Sequence, residues 1–143
     1  SEPVTFATLQ DWSKHENEKI RYYSGTAIYK TSLDIEEKPE GMLFLDLGHV
    51  TAMAKVKING DYAGGVWTAP YRIDVSGLIK NGKNELEVEV VNTWVNRLIG
   101  DQMLSPTERP IWAHNNPWKA DSPLQASGLL GPVNLLSVKY ANQ

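Results

Sequence analysis

The sequence predicts an all-β protein, an antiparallel β-sandwich, and three observations support this prediction. Apolar and charged residues alternate over 54–58 and again over 85–90, so each segment is expected to form a strand with one buried and one wet face. Asn59-Gly60 and Asn81-Gly82 predict turns, and the first is typical of a tight hairpin because both positions accept a positive φ. No amphipathic helical pattern extends beyond about two turns, which leaves short strands as the main elements.

The two alternating segments carry opposite charges on their wet faces. Lys55 and Lys57 lie on the first segment, and Glu85, Glu87 and Glu89 lie on the second. If the two strands pair, these rows face each other across the sheet and favour the antiparallel arrangement.

Further strands are expected on both sides of this central stretch. Before it, alternation predicts a strand over 27–35 and another over 43–47, the second with three leucines on one face. After it, a terminal strand is predicted over 132–140, with a β-bulge at Leu135 and Leu136.

The composition is ordinary for a globular chain and argues against several classes of function. The 143 residues are 41% hydrophobic and 22% charged with a net charge of −3, which predicts a single domain over 1–143. This charge balance predicts neither a nucleic-acid partner nor a membrane partner, and no apolar run approaches the roughly 18 residues of a membrane span. Cysteine is absent, which excludes disulfides, thiol catalysis and cysteine-ligated zinc.

The segment 92–130 departs from the strand pattern. It shows no sustained periodicity over about forty residues, and loops of this length in compact domains are usually functional or disordered. Disordered segments are poor in aromatic residues, whereas this one contains Trp94, Trp112 and Trp118 among many polar residues. We therefore expect an ordered, aromatic-rich loop that carries the function.

Several short motifs, taken in order, resemble one known family. They are YYSGTAIY at 22–29, LDLG at 45–48, VKING at 56–60, PYRIDV at 70–75 and GKNEL at 82–86. Together they resemble the galactose-binding-like jelly-roll domain attached to family-two glycoside hydrolases. NRLIGD at 96–101 and SGLLGPV at 127–133 are similar to the C-terminal β-sandwich of α-L-rhamnosidase-like enzymes of glycoside hydrolase family 106.

The resemblance implies a galactose-binding-like jelly roll that has been excised from a larger enzyme. The parent would be a bacterial, extracellular or periplasmic enzyme that degrades polysaccharides, with its catalytic domain outside this chain. No catalytic residue can be carried over from the resemblance. A rhamnose- or galacturonate-containing glycan of the plant cell wall is the ligand class that it implies.

The aromatic and polar residues of the long loop fit carbohydrate recognition. An indole or phenol ring covers the apolar C–H face of a sugar, while Arg, Asn and Asp bond its hydroxyl rim. The candidate ligand-binding residues in this loop are Trp94, Asn96, Arg97, Trp112, Trp118 and Asp121. Trp67 and Tyr71, in the separate loop around Pro70, are candidates as well. The alternative for the tryptophans is packing of the loop onto the sandwich, and Arg97 has a possible ion-pair partner four residues on, in Asp101.

Catalysis and metal binding have weaker support. A glycosidase needs two carboxylates placed across the sugar, and the acids that could serve are Asp46, Asp74, Asp101, Glu108 and Asp121. Acids as common as these are more simply explained by solvation. The three histidines are scattered, so we predict no cofactor and no histidine-ligated metal. A structural calcium at Asp101 or Asp121 stays open.

Three functions are therefore carried forward. The first is a non-catalytic carbohydrate-binding module that binds a polysaccharide or oligosaccharide. The second is a structural β-sandwich that packs against the catalytic domain of its parent and binds no ligand. The third is a small stand-alone glycosidase, for which the sequence offers no constellation of catalytic residues.

Overall fold

A computed structural model describes residues 4–139, and over this range the chain forms an antiparallel β-sandwich, as the alternation predicted. Only short helical elements accompany the strands. In chain order the elements are a 3₁₀ turn (Trp12–Lys14), α1 (Glu18–Arg21), β1 (Thr26–Ile35), β2 (Met42–Asp46), β3 (His49–Thr51), β4 (Met53–Ile58), β5 (Asp61–Val66), β6 (Arg72–Asp74), β7 (Gly82–Val91), α2 (Val95–Asp101), β8 (Gly128–Gly131) and β9 (Asn134–Val138). No helix in the described range has the length and apolar character needed to cross a membrane.

The larger sheet has the strand order β1-β7-β4-β5, and each neighbouring pair is antiparallel. β4 alternates between exposed and buried positions along its whole length, as its sequence predicted. Its three inward side chains are at most 3% exposed: Ala54, Val56 and Ile58. The strict alternation of β4 and β7 therefore places one face of this sheet in the core.

The second layer consists of a three-stranded sheet, ordered β6-β2-β9, and the short pair β3-β8. Leu43 and Leu45 of β2, Val50 of β3 and Leu129 of β8 are buried against the larger sheet in one cluster. Trp12 of the 3₁₀ turn joins that cluster at 4% exposure. The core thus lies between the two layers and is closed at one side by the N-terminal turn.

The predicted meeting of opposite charges occurs on the outer face of the larger sheet. Lys55 lies opposite Glu89 with 3.6 Å between the charged atoms, and Lys57 lies opposite Glu87 at 3.4 Å. Lys30 of β1 reaches Glu87 from the other side at 3.2 Å. The hydrogen bond from Lys30 and the charges of both lysines hold the pKa of the Glu87 carboxyl below its usual range. We call these five residues the charge ladder.

The predicted bulge in the terminal strand is wrong. Leu135 and Leu136 pair with successive residues of β2 in an uninterrupted register. Both leucines are half-buried on opposite faces of β9, so two consecutive apolar residues need no bulge to reach cover. A bulge occurs instead in β5, where the register with β4 shifts and Ala63 is the extra residue. The predicted end of this strand at Tyr140 lies outside the described residues.

The segment 92–130 is ordered, but the prediction that it lacks regular structure is wrong. It contains α2 at its start and β8 at its end. α2 has seven residues, which is too short for a helical period to show against the polar residues inside it. β8 reads Gly-Leu-Leu-Gly, and its flanking glycines hide it among turn signals.

The two Asn-Gly turns are joined by their side chains. The Asn59 amide donates to the side-chain oxygen of Asn84 at 3.0 Å and to the Leu78 carbonyl at 3.0 Å. Asn84 is fully buried, accepts from the Lys80 N–H at 3.0 Å, and donates to the carbonyls of Lys80 and Gly82 at 2.8 and 3.0 Å. One buried amide therefore connects the two turns and satisfies backbone groups of the second.

We expect Asn84→Ala to lower the free energy of unfolding by about 2–4 kcal/mol, because several buried backbone groups lose their partners at once. Urea denaturation followed by tryptophan fluorescence measures this change. Asn134→Ala, at an exposed position, is the matched control and should stay within about 0.5 kcal/mol of the parent chain. Equal stability of the two variants would show that Asn84 does not support the turns.

Candidate functional site

The segments that carry the candidate residues leave the larger sheet at the same end. Thr26 of β1 and Met53 of β4 both pair with Val91, the last residue of β7, while Ala54 pairs with Val66 at the end of β5. The loop 67–71 and the segment 92–127 both start at this end. We call these two segments together the aromatic end.

In the loop 67–71, Trp67 is 74% exposed directly after β5. Tyr71 is half-buried and makes an edge-to-face contact with the His49 ring, with 6.0 Å between the ring centroids. The Tyr71 carbonyl accepts from the Leu47 N–H at 2.9 Å, which fixes the loop to the chain after β2. Trp67 therefore projects into solvent from an anchored loop.

Trp94 lies on the neighbouring segment, at the N-cap position of α2, and is 62% exposed. The strands that precede Trp67 and Trp94 are β5 and β7, which are separated by β4 alone, so their ends lie about 10 Å apart. Met53, 47% exposed at the start of β4, lies between these strand ends. The three side chains thus leave three successive strands at one end of the sheet.

The side chain of Asn92 joins the start of the segment 92–127 to its end, a role that no pattern in the sequence indicated. Its side-chain oxygen accepts from the Gly25 N–H at 2.9 Å, and its amide donates to the Tyr23 carbonyl and the Ser127 hydroxyl, both at 2.7 Å. The Ser127 carbonyl in turn accepts a hydrogen bond from the Trp12 backbone N–H at 3.0 Å. One buried amide therefore ties the start of the segment to its end and to the N-terminal turn.

Asn96 anchors the far part of the segment. It is 3% exposed, its amide donates to the Gln125 carbonyl at 2.7 Å, and its oxygen accepts from the Gln125 N–H at 2.8 Å. The side-chain oxygen and nitrogen of Asn96 are thus both bonded within the chain, so this candidate is part of the internal structure and is not displayed to a ligand.

Arg97 and Asp101 form the ion pair that their spacing allowed. The Arg97 Nε lies 2.9 Å from Asp101 Oδ1, with the carboxylate 3% exposed and the arginine side chain 28% exposed. The second carboxylate oxygen accepts from the Ile111 N–H at 3.2 Å. Asp101 therefore holds the chain one residue before Trp112 against the end of α2.

Trp112 is the most exposed of the tryptophans, at 84%, and its ring lies 6.0 Å from that of His114 in a tilted contact. Trp118 is half-buried, in a turn where its backbone N–H donates to the Asn116 side chain at 3.0 Å. Asn116 also donates to the Leu98 carbonyl of α2 at 3.1 Å. An Asn two residues before a tryptophan is a turn signal that the sequence already contained.

Asp121 is exposed and makes no hydrogen bond or ion pair with any residue in the described range. The candidates thus separate into two groups. Four are exposed to solvent: Trp67, Trp94, Trp112 and Asp121. Asn96 is buried, and the other three are half-buried: Tyr71, Arg97 and Trp118.

The carboxylates considered for catalysis are held in structural roles where the structure gives them partners. The hydrogen bond from Arg72 Nε, at 2.6 Å, and a second from the Gly48 N–H lower the pKa of Asp46. The hydroxyl and the N–H of Ser76 lower the pKa of Asp74. A general acid needs a raised pKa, so these two residues are shifted in the opposite direction.

Glu108 bonds the hydroxyl of Ser105 at 2.5 Å on an exposed turn. Within residues 4–139, no three or more His, Asp or Glu side chains are grouped so that they could hold a metal ion. Asp101, one of the two residues considered for calcium, has both carboxylate oxygens engaged by Arg97 and Ile111.

Comparison with known proteins agrees with the resemblance in the motifs. Residues 7–124 match the family described as the glycosyl hydrolase 2 galactose-binding domain-like family. A protein of Formosa agariphila that carries the provisional name β-glucuronidase is 40% identical, over 92% of this chain and 14% of its own length. A rhamnosidase from Novosphingobium sp. PP1Y has 42% identity and a TM-score of 0.85, over 92% of this chain and 13% of that one.

A more distant structure shares the fold alone. The β-glucuronidase of Ruminococcus gnavus superimposes with a TM-score of 0.57 at 24% identity, over 64% of this chain and 17% of that one. The chain thus spans less than a fifth of the length of each of these glycosidases, and the expected relation to a rhamnosidase is confirmed. With the family match covering most of its length, the chain belongs to the galactose-binding-like domains of glycosyl hydrolase 2.

Proposed function

We propose that this chain is a non-catalytic accessory domain of a bacterial, extracellular or periplasmic glycoside hydrolase and binds a polysaccharide or oligosaccharide at its aromatic end. The observation that carries the proposal is the exposure of Trp67, Trp94 and Trp112, at 74, 62 and 84%, on anchored segments. A single exposed tryptophan is common, but three on the two segments that leave one end of a sheet are typical of an interaction surface.

The anchoring explains how these rings would bind a sugar. A tryptophan held by its backbone loses little conformational freedom on binding, so stacking on a C–H face is less opposed by entropy. Arg97 supports a polar rim, because Asp101 engages its Nε while the side chain is still 28% exposed. Asp121, exposed and unpaired among the described residues, accepts hydroxyl donors.

An acidic, rhamnose- or uronate-containing glycan of the plant cell wall is the ligand class we favour. Arg97, Arg109 and Lys119 supply cationic side chains to the segment that carries Trp112, although Asp101, Glu108 and Asp121 balance them in net charge. The names of the two relatives, a rhamnosidase and a β-glucuronidase, point toward the same sugars. The non-catalytic role is supported by the small share of each relative that this chain spans and by the lowered pKa values of Asp46 and Asp74.

Affinity electrophoresis on a panel of plant polysaccharides, with tryptophan fluorescence as the second readout, tests the proposal. We expect retardation on rhamnose- or uronate-containing polymers, and we expect Trp112→Ala and Trp94→Ala each to weaken binding about tenfold, equal to about 1.4 kcal/mol. Tyr62→Ala is the matched control, since Tyr62 is 63% exposed near the opposite end of the sheet. Unchanged binding in the tryptophan variants would place the site elsewhere.

The anchor of Trp112 leads to a separate prediction. Asp101→Asn keeps an acceptor for the Ile111 N–H but removes the ion pair with Arg97, so the segment after α2 should open more often. We expect chymotrypsin to cut after Trp112 several-fold faster and glycan binding to weaken, with a stability loss of about 1–2 kcal/mol. Glu108→Gln, an exposed carboxylate of the same segment, should change neither quantity. Equal cleavage in both variants would contradict the anchoring role.

A second candidate is an interface to the catalytic domain of the parent enzyme. The observation that favours it is the exposure of further apolar side chains at the aromatic end, since Met103 and Leu104 in the segment 92–127 are 51 and 40% exposed and Met53 at the start of β4 is 47% exposed. Interface centres are rich in Trp and Met, whereas sugar sites need convergent polar groups. The buried, internally bonded amide of Asn96 removes one such group.

Met53→Glu separates the two functions, because a charge there would disrupt a protein interface more than a stacking platform. If the aromatic end is an interface, this change should lower the melting temperature of the parent enzyme while the isolated chain melts as before. If it is a glycan site, the parent should melt unchanged and binding by the isolated chain should respond to the tryptophan variants alone.

A further inference from the structure

A second surface, away from the aromatic end, is formed by the free edge of β1. β1 is the outermost strand of the larger sheet and pairs with β7 over all ten residues without a bulge. Gly25, just before it, bonds Asn92 through both of its backbone groups: its N–H donates to Asn92 Oδ1 at 2.9 Å, and its carbonyl accepts from the Asn92 N–H at 3.2 Å. Because backbone direction alternates along a strand, the even-numbered residues of β1 point away from β7.

The hydrogen bonds beside this edge agree with that direction. The carbonyl of Thr26 accepts from the Tyr23 hydroxyl at 2.7 Å on the outer side. Beyond it, the outward N–H and C=O groups of Ile28, Lys30, Ser32 and Asp34 find no partner among the residues that the structure describes. A row of this kind is a template on which another strand can pair.

The side chains beneath this edge are also less covered than those at the centre of the sheet. Tyr29, Leu33 and Ile35 face the core but stay half-buried, whereas every inward residue of β4 is at most 3% exposed. Ile28, on the outer face, is 52% exposed. A strand added at this edge would remove apolar surface from water on both faces.

The charges along β1 are complementary to a second, antiparallel copy of the same strand. If Ser32 lies on the two-fold axis, Lys30 of each copy stands opposite Asp34 of the other, and Tyr29 stands opposite Ile35. A register centred on Lys30 or on Asp34 would instead oppose two like charges. Lys30 is free to reach across, since its side chain is 72% exposed even while it contacts Glu87.

We propose that β1 is a self-association edge whose partner is a second copy of this chain, paired antiparallel about Ser32 into one continuous sheet of eight strands. Four unpaired residues on each side make an interface well below the about 1,000 Å² of a stable complex. The dimer is therefore weak and forms at high protein concentration, with a dissociation constant on the order of 100 µM. This inference does not depend on glycan binding at the aromatic end.

Sedimentation equilibrium at several concentrations of the whole chain tests the edge directly. Ser32→Pro removes an outward N–H and leaves the bonds to β7 in place, so it should abolish the dimer, while Ser32→Ala keeps the N–H and should not. Asp34→Lys changes no backbone group but opposes two pairs of lysines, and should weaken dimerisation at least about tenfold. Circular dichroism establishes that each variant retains the fold.

The outcomes separate clearly. A dimer lost in Ser32→Pro, weakened in Asp34→Lys and kept in Ser32→Ala supports the proposal, as does weakening by added salt. A chain that stays monomeric on the order of 1 mM overturns it and leaves Lys30 as a charge that keeps the edge unpaired. The proposal is also overturned if dimerisation is unchanged in Ser32→Pro and Asp34→Lys but is lost in Trp67→Ala or Trp94→Ala, because association would then use the aromatic end.

Discussion

The aromatic end depends on one constraint, which is that a long excursion from a β-sheet must find partners for its backbone polar groups without a sheet of its own. Asn92 meets this constraint where the excursion begins. Its single amide bonds the start of β1 through Tyr23 and Gly25, and it bonds Ser127 at the point where the chain returns. Without that amide, three polar groups in two chain segments would lose their partners, and each such group costs about 1–3 kcal/mol where it is buried.

The same kind of bond recurs along the excursion, and three such bonds join distant parts of it to α2. Asn96 holds the chain at Gln125, Asp101 holds it at Ile111, and the carbonyl of Leu98 receives Asn116. Hydrogen bonds from polar side chains thus hold this segment in place, whereas apolar packing holds the sandwich together. Its tryptophans are consequently not all needed for packing, in contrast to Trp12, which the core buries to 4% exposure. The exposure of Trp94 and Trp112 follows from how the segment is anchored.

The strands could be predicted from the sequence because their signals are local and repeated. β4 and β7 alternate strictly, and the Asn59-Gly60 turn between β4 and β5 needs a positive φ, which Asn59 adopts at 53°. Local pattern was misleading at β9, where adjacent leucines suggested a bulge although both faces of the strand have cover. The pairing of oppositely charged rows was also predictable, since it needs only the residue types and an antiparallel register.

The candidate site was predictable only in part, for a physical reason. Composition marks Trp94 and Trp112 as candidates but leaves packing onto the sandwich as the alternative for each, and their exposure is visible only in the fold. Whether an Asn binds a ligand or the protein backbone is decided by residues far away in the sequence, such as Gln125 for Asn96. A side chain of this type has equal donor and acceptor capacity in either role, so its sequence position alone does not distinguish them.

The charge ladder gives a physical reason why the two proposed binding surfaces lie at the end and the edge of the larger sheet and not on its outer face. Glu87 is shared by Lys30 and Lys57, and Lys55 pairs with Glu89, so the three lysines and two glutamates leave a single positive charge and offer an approaching ligand only a weak net field. Such exposed pairs add little stability, and their main effect is to keep a flat, wet sheet from attracting other molecules. The pairing stops at the boundary of the ladder, where Met53 interrupts the lysines of β4 at one end and β1 has no strand beyond it at the side. The surfaces left without internal partners are the ones able to bind something else.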